Sequence, residues 1–300
     1  MAINIPEKAA WILKQLNAHG YEAYVVGGCV RDSILGRAPE DWDITTSAKP
    51  EQIKAVFSRT VDTGIAHGTV TVLVDREGFE VTTYRIDGAY EDHRHPKEVA
   101  FTADLKEDLR RRDFTINAMA YHPDTGLVDC FGGLEDLKQG IIRCVGEPIQ
   151  RFEEDALRVL RGIRFSAQLG FAIGPETEAA IRAKSPDLKR ISAERIQAEL
   201  VKLLISPHPE YIKKACELGV TAVILPEYDR IVGVDQHTPN HIYDVEEHTL
   251  IALKNIDATP ILRLTMLIHD FGKPVVKKTD GGRDIFYRHP EVSAVMARDI

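Results

Sequence analysis

Two carboxylates separated by a single residue stand out early in the chain. They are Asp41 and Asp43, in the stretch DWDITT, about a dozen residues after the glycine pair Gly27-Gly28. Alternate residues of a strand project from the same face, so the two side chains would repel each other unless a cation neutralised them. Such oxygen ligands suit Mg²⁺, which commonly binds carboxylates together with substrate phosphates. A solvated surface turn is the competing interpretation.

The glycine pair ends a strand-like run, YEAYVV, and opens a helix-like run, CVRDSILG. Backbone N–H groups at such a turn are not covered by side chains and are suited to bind phosphates. Together with the carboxylates, this turn predicts nucleotidyl transfer with two Mg²⁺ ions, one activating a hydroxyl and one holding the departing pyrophosphate. Glu80, in the stretch FEVTTYR, is either a third metal ligand or a surface residue of an edge strand.

A basic cluster precedes an aspartate in RRRDFTINAMAY, residues 110–121. The arginines Arg111 and Arg112 are of the type that pairs with phosphates, and Asp113 is an acceptor for a ribose hydroxyl. A solvated basic turn is the alternative interpretation of this charge run.

A second group of charges occurs in EEDALRVLRGIRF, residues 153–165. If this stretch is helical, Asp155 and Arg158 lie on one face at positions i and i+3. A carboxylate beside a guanidinium can recognise the edge of a base, whereas an ordinary surface ion pair would contribute little. Arg161 and Arg164 continue that face, either as phosphate ligands or as solvated charges.

The elements that must position these residues can be read along the chain. Helical spacing of apolar residues, with Pro6 near the start and Gly20 at the end, predicts a helix over 6–19. Two β-branched runs in GTVTVLVDREGFEVTTYRID predict a hairpin that turns at residues 76–78. From about residue 149 onward the pattern is mostly helical, with arginine-rich faces.

The pattern predicts an α+β protein in three parts. Residues 1–140 form a small mixed-sheet head, residues 141–206 a helical neck, and residues 207–300 a helical body. The final stretch, HPEVSAVMARDI, stops within a helix-like pattern, so we expect a longer parent chain.

Composition limits the function further. The net charge of the 300-residue chain is −8, so a polyanionic partner would need a local basic surface. The four cysteines form no CxxC pair, which is typical of a reducing compartment. The N-terminus lacks the apolar core of a signal peptide, and no apolar run approaches the roughly 20 residues of a membrane span. We therefore expect a cytoplasmic protein that does not contact a membrane.

The stretch GGCVRD followed by DWDITT resembles the first signature of the DNA polymerase β nucleotidyltransferase superfamily. More narrowly, it resembles class II tRNA CCA-adding enzymes and bacterial poly(A) polymerases. The resemblance continues through four further stretches and covers most of residues 20–200.

The resemblance implies a role for each stretch. Asp41 and Asp43 would be catalytic and would bind metal, and RRDFT would bind the sugar and select ribonucleotides. Glu154, Asp155 and Arg158 would select CTP or ATP without a template strand. SAERIQAEL, residues 192–200, would support the nucleotide pocket, and the loop 87–101 would allow the switch from C to A addition. The predicted nucleotide site comprises Gly27, Gly28, Arg31, Arg111, Arg112, Asp113, Asn117, Glu154, Asp155, Arg158, Arg161 and Arg164.

The function implied is addition or repair of the 3′-terminal CCA of tRNA from CTP and ATP, with Mg²⁺ as the cofactor. A poly(A) polymerase or an enzyme that adds only A is the alternative within the family. A third possibility is a phosphohydrolase whose head is inactive.

That third possibility comes from the histidines near the end of the chain. His248, the adjacent pair His269-Asp270, and His289 resemble the ligand pattern of HD-type metal-dependent phosphohydrolases. Either the four residues bind a metal, or they are remnants of that fold without one.

Overall fold

The computed structural model describes residues 2–88, 99–238 and 242–300. The chain divides into two compact units, Met1–Asp155 and Ala156–Ile300. Within the described parts of the chain, none of the helices combines the length and the apolar character that a membrane span needs.

The first unit contains a mixed sheet flanked by short helices. Its helices are α1 (Glu7–Ala18), α2 (Gly28–Ile34), α3 (Pro50–Val56), α4 (Leu105–Arg110), α5 (Gly133–Gln139) and α6 (Pro148–Glu154). Its strands are β1 (Ala23–Val26), β2 (Ile44–Thr46), β3 (Thr60–Gly64), β4 (Thr69–Val74), β5 (Glu77–Thr83), β6 (Arg85–Asp87), β7 (Val99–Phe101), β8 (Met119–His122), β9 (Gly126–Asp129) and β10 (Ile141–Ile142). Single 3₁₀ turns occur at Ile65–His67 and Thr115–Asn117.

Seven strands form the main sheet, in the order β3-β4-β5-β2-β1-β8-β9. The pairing of β2 with β5 is parallel, and the other pairings are antiparallel. The helix predicted over 6–19 is confirmed as α1, which buries Ile12, Leu13 and Leu16. It ends where Gly20 adopts a φ of +84°, a backbone conformation that favours glycine.

The predicted hairpin is present as β4 and β5, but the predicted position of its turn is wrong. Val74 pairs with Glu77, so the turn consists of Asp75 and Arg76, both at positive φ. Such a two-residue turn matches the right-handed twist of the strands. Gly78, expected in the turn, lies in β5, where a Cβ would approach the Thr71 side chain to 3.0 Å.

The second unit is largely helical. Its helices are α7 (Leu157–Leu169), α8 (Pro175–Lys184), α9 (Ala193–Leu204), α10 (Ile212–Glu217), α11 (Thr221–Ile224), α12 (Pro226–Asp229), α13 (Val245–Asn255), α14 (Pro260–Ile268), α15 (Lys273–Val276) and α16 (His289–Asp299). Strands are β11 (Ala172–Ile173), β12 (Lys278–Asp280) and β13 (Arg283–Ile285), and 3₁₀ segments lie at Ser185–Arg190 and Pro209–Tyr211.

The α+β class predicted from the sequence is confirmed, and the β12–β13 hairpin is an addition to the predicted helical body. Asp284 anchors this hairpin, because its buried carboxylate accepts hydrogen bonds from Thr279 (2.7 Å) and from the backbone N–H of His237 (2.9 Å). Lys277 forms an ion pair with the same carboxylate at 3.0 Å.

Candidate nucleotide site and histidine cluster

The carboxylates of the first unit lie immediately before β2, near the middle of the main sheet. The backbone carbonyl of Asp43 accepts a hydrogen bond from the N–H of Val26 at 3.0 Å, so the pairing with β1 extends to this residue. Ile44 pairs with Val81 in the parallel register, which places Asp43 next to Glu80 across the two strands. The three acidic residues singled out in the sequence are therefore neighbours.

The electrostatics of Asp43 reflect this crowding. Its side chain keeps accessible surface, yet the surrounding protein partly desolvates it and thereby raises the pKa of its carboxyl above the ordinary value. The guanidinium of Arg112 opposes the shift, whereas the negative charges of Glu80 and Asp41 add to it. This surplus of negative charge on oxygen ligands fits a Mg²⁺ ion.

The turn between β1 and α2 favours glycine at position 27, chiefly through its backbone conformation. Its φ is +82°, and a Cβ there would lie 3.0 Å from Nη1 of Arg112. The turn is fixed at the backbone, because the N–H of Gly27 donates to the carbonyl of Met119 at 3.1 Å. Gly27, Arg112 and Asp43 thus line one corner of the first unit.

Arg31 lies beneath this turn and is nearly buried. Its guanidinium donates to both carboxylate oxygens of Asp32, at 2.9 and 2.8 Å, and to the side-chain oxygen of Asn117 at 2.7 Å. The amide of Asn117 in turn donates to Asp113 at 3.3 Å. These contacts join α2 to the RRDFT stretch and bring together three of the predicted site residues.

Asp108 is a member of this site that the sequence interpretation missed. Its carboxylate is fully buried and forms an ion pair with Arg111 at 2.9 Å and a longer one with Arg112 at 3.7 Å. The spacing of these residues, i to i+3 and i+4 from within α4 to just past its end, is a signal that could have revealed the contact.

The prediction that one continuous helix carries Asp155 and Arg158 is wrong. Helix α6 ends at Glu154, Asp155 is extended with a φ of −141°, and α7 begins at Leu157. Aspartate is a poor helix former, because its carboxylate competes for nearby backbone groups. Asp155 belongs to the first unit and Arg158 to the second, where it lies half-buried in the first turn of α7.

Glu154 is tied to the arginine stretch by another residue that the sequence interpretation missed. Arg151 contacts the carboxylate of Glu154 and donates to the backbone carbonyl of Arg110 at 3.1 Å. The end of α6 is thereby held against the end of α4.

In the second unit, Arg161 and Arg164 have an internal counter-ion. The buried carboxylate of Glu199, in SAERIQAEL, lies 2.5 Å from Nε of Arg164 and 3.7 Å from Arg161. The guanidinium of Arg164 also stacks over the ring of Phe165 at 3.8 Å. Glu199 therefore fixes α7 to α9, and the predicted support of the nucleotide pocket by this stretch stays a prediction.

The four histidine-cluster residues do converge within the second unit. Nε2 of His269 lies 3.2 Å from Nε2 of His248 and 3.1 Å from Oδ2 of Asp270, and Nε2 of His289 lies 3.4 Å from Oδ1 of Asp270. Among the described residues, His248, His269 and Asp270 form the one group of three or more potential metal-binding side chains whose ligand atoms all lie within 4.8 Å of one another.

A buried lysine supplies a cation to this cluster. Nζ of Lys273 lies 2.7 Å from Oδ2 of Asp270 and 2.7 Å from the side-chain oxygen of Gln236. Burial opposes ionisation of Asp270, but hydrogen bonds from His269 and Lys273 outweigh it and lower its pKa to about 2. Gly272 permits the close packing here, since a Cβ would lie 2.4 Å from the carbonyl of His289.

The four cysteines differ in accessibility. Cys29 is buried beside the corner lined by Gly27, Arg112 and Asp43, and burial together with the charge of Asp43 raises the pKa of its thiol to about 12. Cys144 is buried as well, Cys216 is intermediate, and Cys130 is exposed.

The loop 87–101 lies largely outside the described residues, because residues 89–98 are not among them. Its predicted role stays a prediction.

Acidic residues before a central strand, a glycine turn and a basic stretch define a head of the nucleotidyltransferase class. Residues 23–143 match the family described as the poly A polymerase head domain. Residues 170–232 match the family described as a probable RNA and SrmB-binding site of polymerase A. With the relatives below, these matches show that the chain belongs to the family of poly(A) polymerases and CCA-adding enzymes.

Similar proteins carry the same family name. A CCA-adding enzyme of Enterococcus faecalis is 53% identical over 199 residues, which are 66% of this chain and 49% of that protein. One of Levilactobacillus brevis is 45% identical over 269 residues, 89% of this chain and 64% of that protein. The 49% coverage of the Enterococcus faecalis protein is typical, because the chain spans about half the length of the curated relatives it matches.

A solved structure supports the fold. The CCA-adding enzyme of Bacillus stearothermophilus, crystallised in complex with CTP, superposes with a TM-score of 0.69 at 43% identity. The match covers 75% of this chain and 56% of that one.

Proposed function

We propose that this chain is a template-independent tRNA nucleotidyltransferase that adds or repairs the 3′-terminal CCA from CTP and ATP. The observation that carries the proposal is the grouping of Asp41, Asp43 and Glu80 beside Arg112 and the Gly27 turn. Curated relatives named CCA-adding enzymes, at about half sequence identity, support the choice of reaction.

In the proposed reaction, the 3′-hydroxyl of the RNA attacks the α-phosphorus of the nucleotide. A P–O bond to the RNA forms, the bond to pyrophosphate breaks, and the hydroxyl proton passes to a carboxylate of this group. Asp41, Asp43 and Glu80 would hold Mg²⁺, two ions in all. Bound there, Mg²⁺ would offset the negative charge of the phosphates.

The remaining head residues would bind the nucleotide. Arg111, Arg112 and the Gly27-Gly28 turn would contact phosphates, and Asp113 would accept a hydrogen bond from the ribose. Arg31 and Asn117 hold Asp113 in place through the hydrogen bonds described above.

Base selection is assigned to Glu154, Asp155 and Arg158 on the sequence motif alone. In the second unit, Arg161 and Arg164 would contribute through the helix that Glu199 fixes. The tRNA would bind basic helices after residue 150, since the chain as a whole is acidic. A cytoplasmic location belongs to the same proposal.

The test is to offer the chain a tRNA lacking its last three nucleotides, with CTP and ATP. Addition of C, C and then A, with termination, supports the proposal. Addition of A alone, or growth of long A tails, would identify instead one of the two alternatives within the family.

A second candidate function rests on the convergence of His248, His269, Asp270 and His289. We propose that these residues bind a divalent metal and hydrolyse a phosphate ester. Histidine nitrogens with one carboxylate suit transition metals such as Ni²⁺ or Co²⁺. Hydrolysis of p-nitrophenyl phosphate with Ni²⁺ should disappear in a His269→Ala variant and persist in an Asp43→Ala variant. Equal hydrolysis by both variants and the wild-type chain would reject this function.

A further inference from the structure

The buried carboxylate of Asp108 contacts three separate parts of the head. One oxygen, Oδ1, accepts from Nε of Arg111 at 3.0 Å and from the backbone N–H of Arg85 at 3.3 Å. The other, Oδ2, accepts from the hydroxyl of Thr45 at 3.1 Å. Asp108 itself has no accessible surface.

Each partner belongs to a different functional stretch. Thr45 lies in β2, two residues after Asp43, on the strand that follows the metal-binding carboxylates. Arg111 opens the RRDFT stretch, and Arg85 begins β6, the strand that leads into the loop 87–101. A shift of Asp108 would therefore be transmitted to all three.

The charges at this point are unevenly matched. Arg111 forms a close ion pair with Asp108, whereas Nη2 of Arg112 stays 3.7 Å away. Nε of Arg112 is buried without a hydrogen-bond partner among the described residues. Nη1 of the same guanidinium lies against Gly27, and its charge acts on Asp43. Asp108 is neutralised mainly by Arg111, so the charge of Arg112 remains available to the acidic corner at Gly27 and Asp43.

We propose that Asp108 is a positioning residue of the nucleotide site: it fixes Arg111 and leaves Arg112 directed toward Asp43 and the Gly27 turn, where it meets a nucleotide phosphate. The inference rests on the proposed nucleotidyltransferase function. It deepens that function by naming the group that sets the geometry of the arginine pair.

The ionised state required for this role is favoured. Burial opposes ionisation of Asp108, but the two arginines, with hydrogen bonds from Arg111 and Thr45, outweigh it and hold its pKa below the ordinary value. The carboxylate is therefore charged whenever the chain is folded near neutral pH.

The experiment replaces Asp108 with Asn in the whole chain and measures the kinetics of CTP addition to a shortened tRNA. Asn keeps the size of the side chain but removes the charge that orients the arginines. We expect KM for CTP to rise about tenfold, the effect of losing a hydrogen bond to a charged group, with a smaller change in kcat. The preference for CTP over dCTP should fall as well, because Asp113 directly follows the arginine pair.

Two further variants separate positioning from stability. Asp129→Asn is the matched control, since that carboxylate accepts from the backbone N–H groups of Gly133 and Leu134. It should lower Tm without changing KM or the CTP preference. Thr45→Val removes one hydrogen bond to Asp108 and preserves the shape of the side chain, and we expect it to raise KM for CTP about threefold. This variant supplies the test of the positioning role if Asp108→Asn does not fold.

The outcomes distinguish this inference from the proposed function. Unchanged KM and unchanged CTP preference in folded Asp108→Asn and Thr45→Val variants would overturn the positioning role. Equilibrium binding of CTP, measured without tRNA, supplies the separate readout. If the wild-type chain binds CTP but adds no nucleotide, and Asp108→Asn weakens that binding, the proposed reaction fails while the positioning role stands.

Discussion

The carboxylate corner of the head and the histidine cluster of the second unit differ in how far positive charge balances their carboxylates. In the head, Asp41, Asp43 and Glu80 crowd together, and the pKa of Asp43 is raised. In the cluster, Asp270 is paired with Lys273 at 2.7 Å, and its pKa is lowered to about 2. The head has a deficit of positive charge, whereas the cluster carries its own cation.

The difference bears on what each region gains from a metal ion. A divalent cation in the head relieves repulsion that folding has created. In the cluster, a metal must compete with an ammonium group that already neutralises the carboxylate. We therefore expect the activity of the head to depend strongly on Mg²⁺. In the cluster, we expect Lys273 to lower the affinity for a metal ion.

Removal of the head carboxylates tests this difference most directly. An Asp41→Ala, Asp43→Ala double variant should lose nucleotide addition by on the order of 1000-fold or more, since charge stabilisation of several kcal/mol disappears. Primer-extension assays on tRNA measure the loss. Ni²⁺ binding by the histidine cluster should be unchanged, and substantial residual addition would place the reaction elsewhere.

Neutral replacements should change stability with opposite signs in the two regions. Asp270→Asn leaves Lys273 buried without its partner, at a cost of about 3 kcal/mol, which lowers Tm by roughly 6–12 °C. Asp43→Asn should instead raise Tm slightly, because it removes a charge that the folded head disfavours.

Thermal unfolding in the absence of divalent ions tests both variants. Addition of Mg²⁺ should raise Tm of the wild-type chain more than Tm of Asp43→Asn. Shifts of the same sign in the two variants would contradict the contrast between the regions.

Removing the internal cation should make the cluster resemble the head. A Lys273→Met variant should bind Co²⁺ about tenfold more tightly, because the metal no longer has to displace an ammonium group from Asp270. Titration followed by the visible absorbance of Co²⁺ measures the affinity, and His269→Ala is the non-binding control. Weaker binding by Lys273→Met would show that the lysine assists the metal.

The smallest expected effect concerns acid stability, in which Asp108 behaves like Asp270 although it lies in the head. Because its folded pKa is lowered, Asp108 contributes stability that is complete above its unfolded pKa of about 3.9. This contribution is lost as the pH falls through the folded value. Between about pH 5 and pH 3, Asp108→Asn should lose less stability than the wild-type chain, as measured by denaturant unfolding. An identical loss would mean that Asp108 has an ordinary pKa.

Much of this arrangement could be predicted from local patterns. Helical periodicity located α1, β-branched runs located the β4–β5 hairpin, and the spacing of Asp41 and Asp43 pointed to their corner. The grouping of His248 with the later histidines could be predicted only as a pattern. Its actual convergence depends on the packing of α13, α14 and α16, which no local rule supplies.

The hairpin turn, the end of α6 and two buried charged residues could not be predicted from local patterns. The hairpin turns at Asp75 and Arg76 because turn type follows strand twist, although the nearby Gly78 favoured a later turn. Asp155 ends a helix that charge spacing had suggested would continue. The buried partners Asp108 and Lys273 were missed because charged residues are usually assigned to the surface.

The thiol environments have a practical consequence for spectroscopy. Cys29 and Cys144 are buried, the pKa of the partly covered Cys216 is raised to about 11, and Cys130 is exposed at the end of β9, an edge strand of the main sheet. A maleimide dye at neutral pH should therefore attach selectively at Cys130. The natural chain already provides a single attachment point for a fluorophore, with no cysteine to remove beforehand.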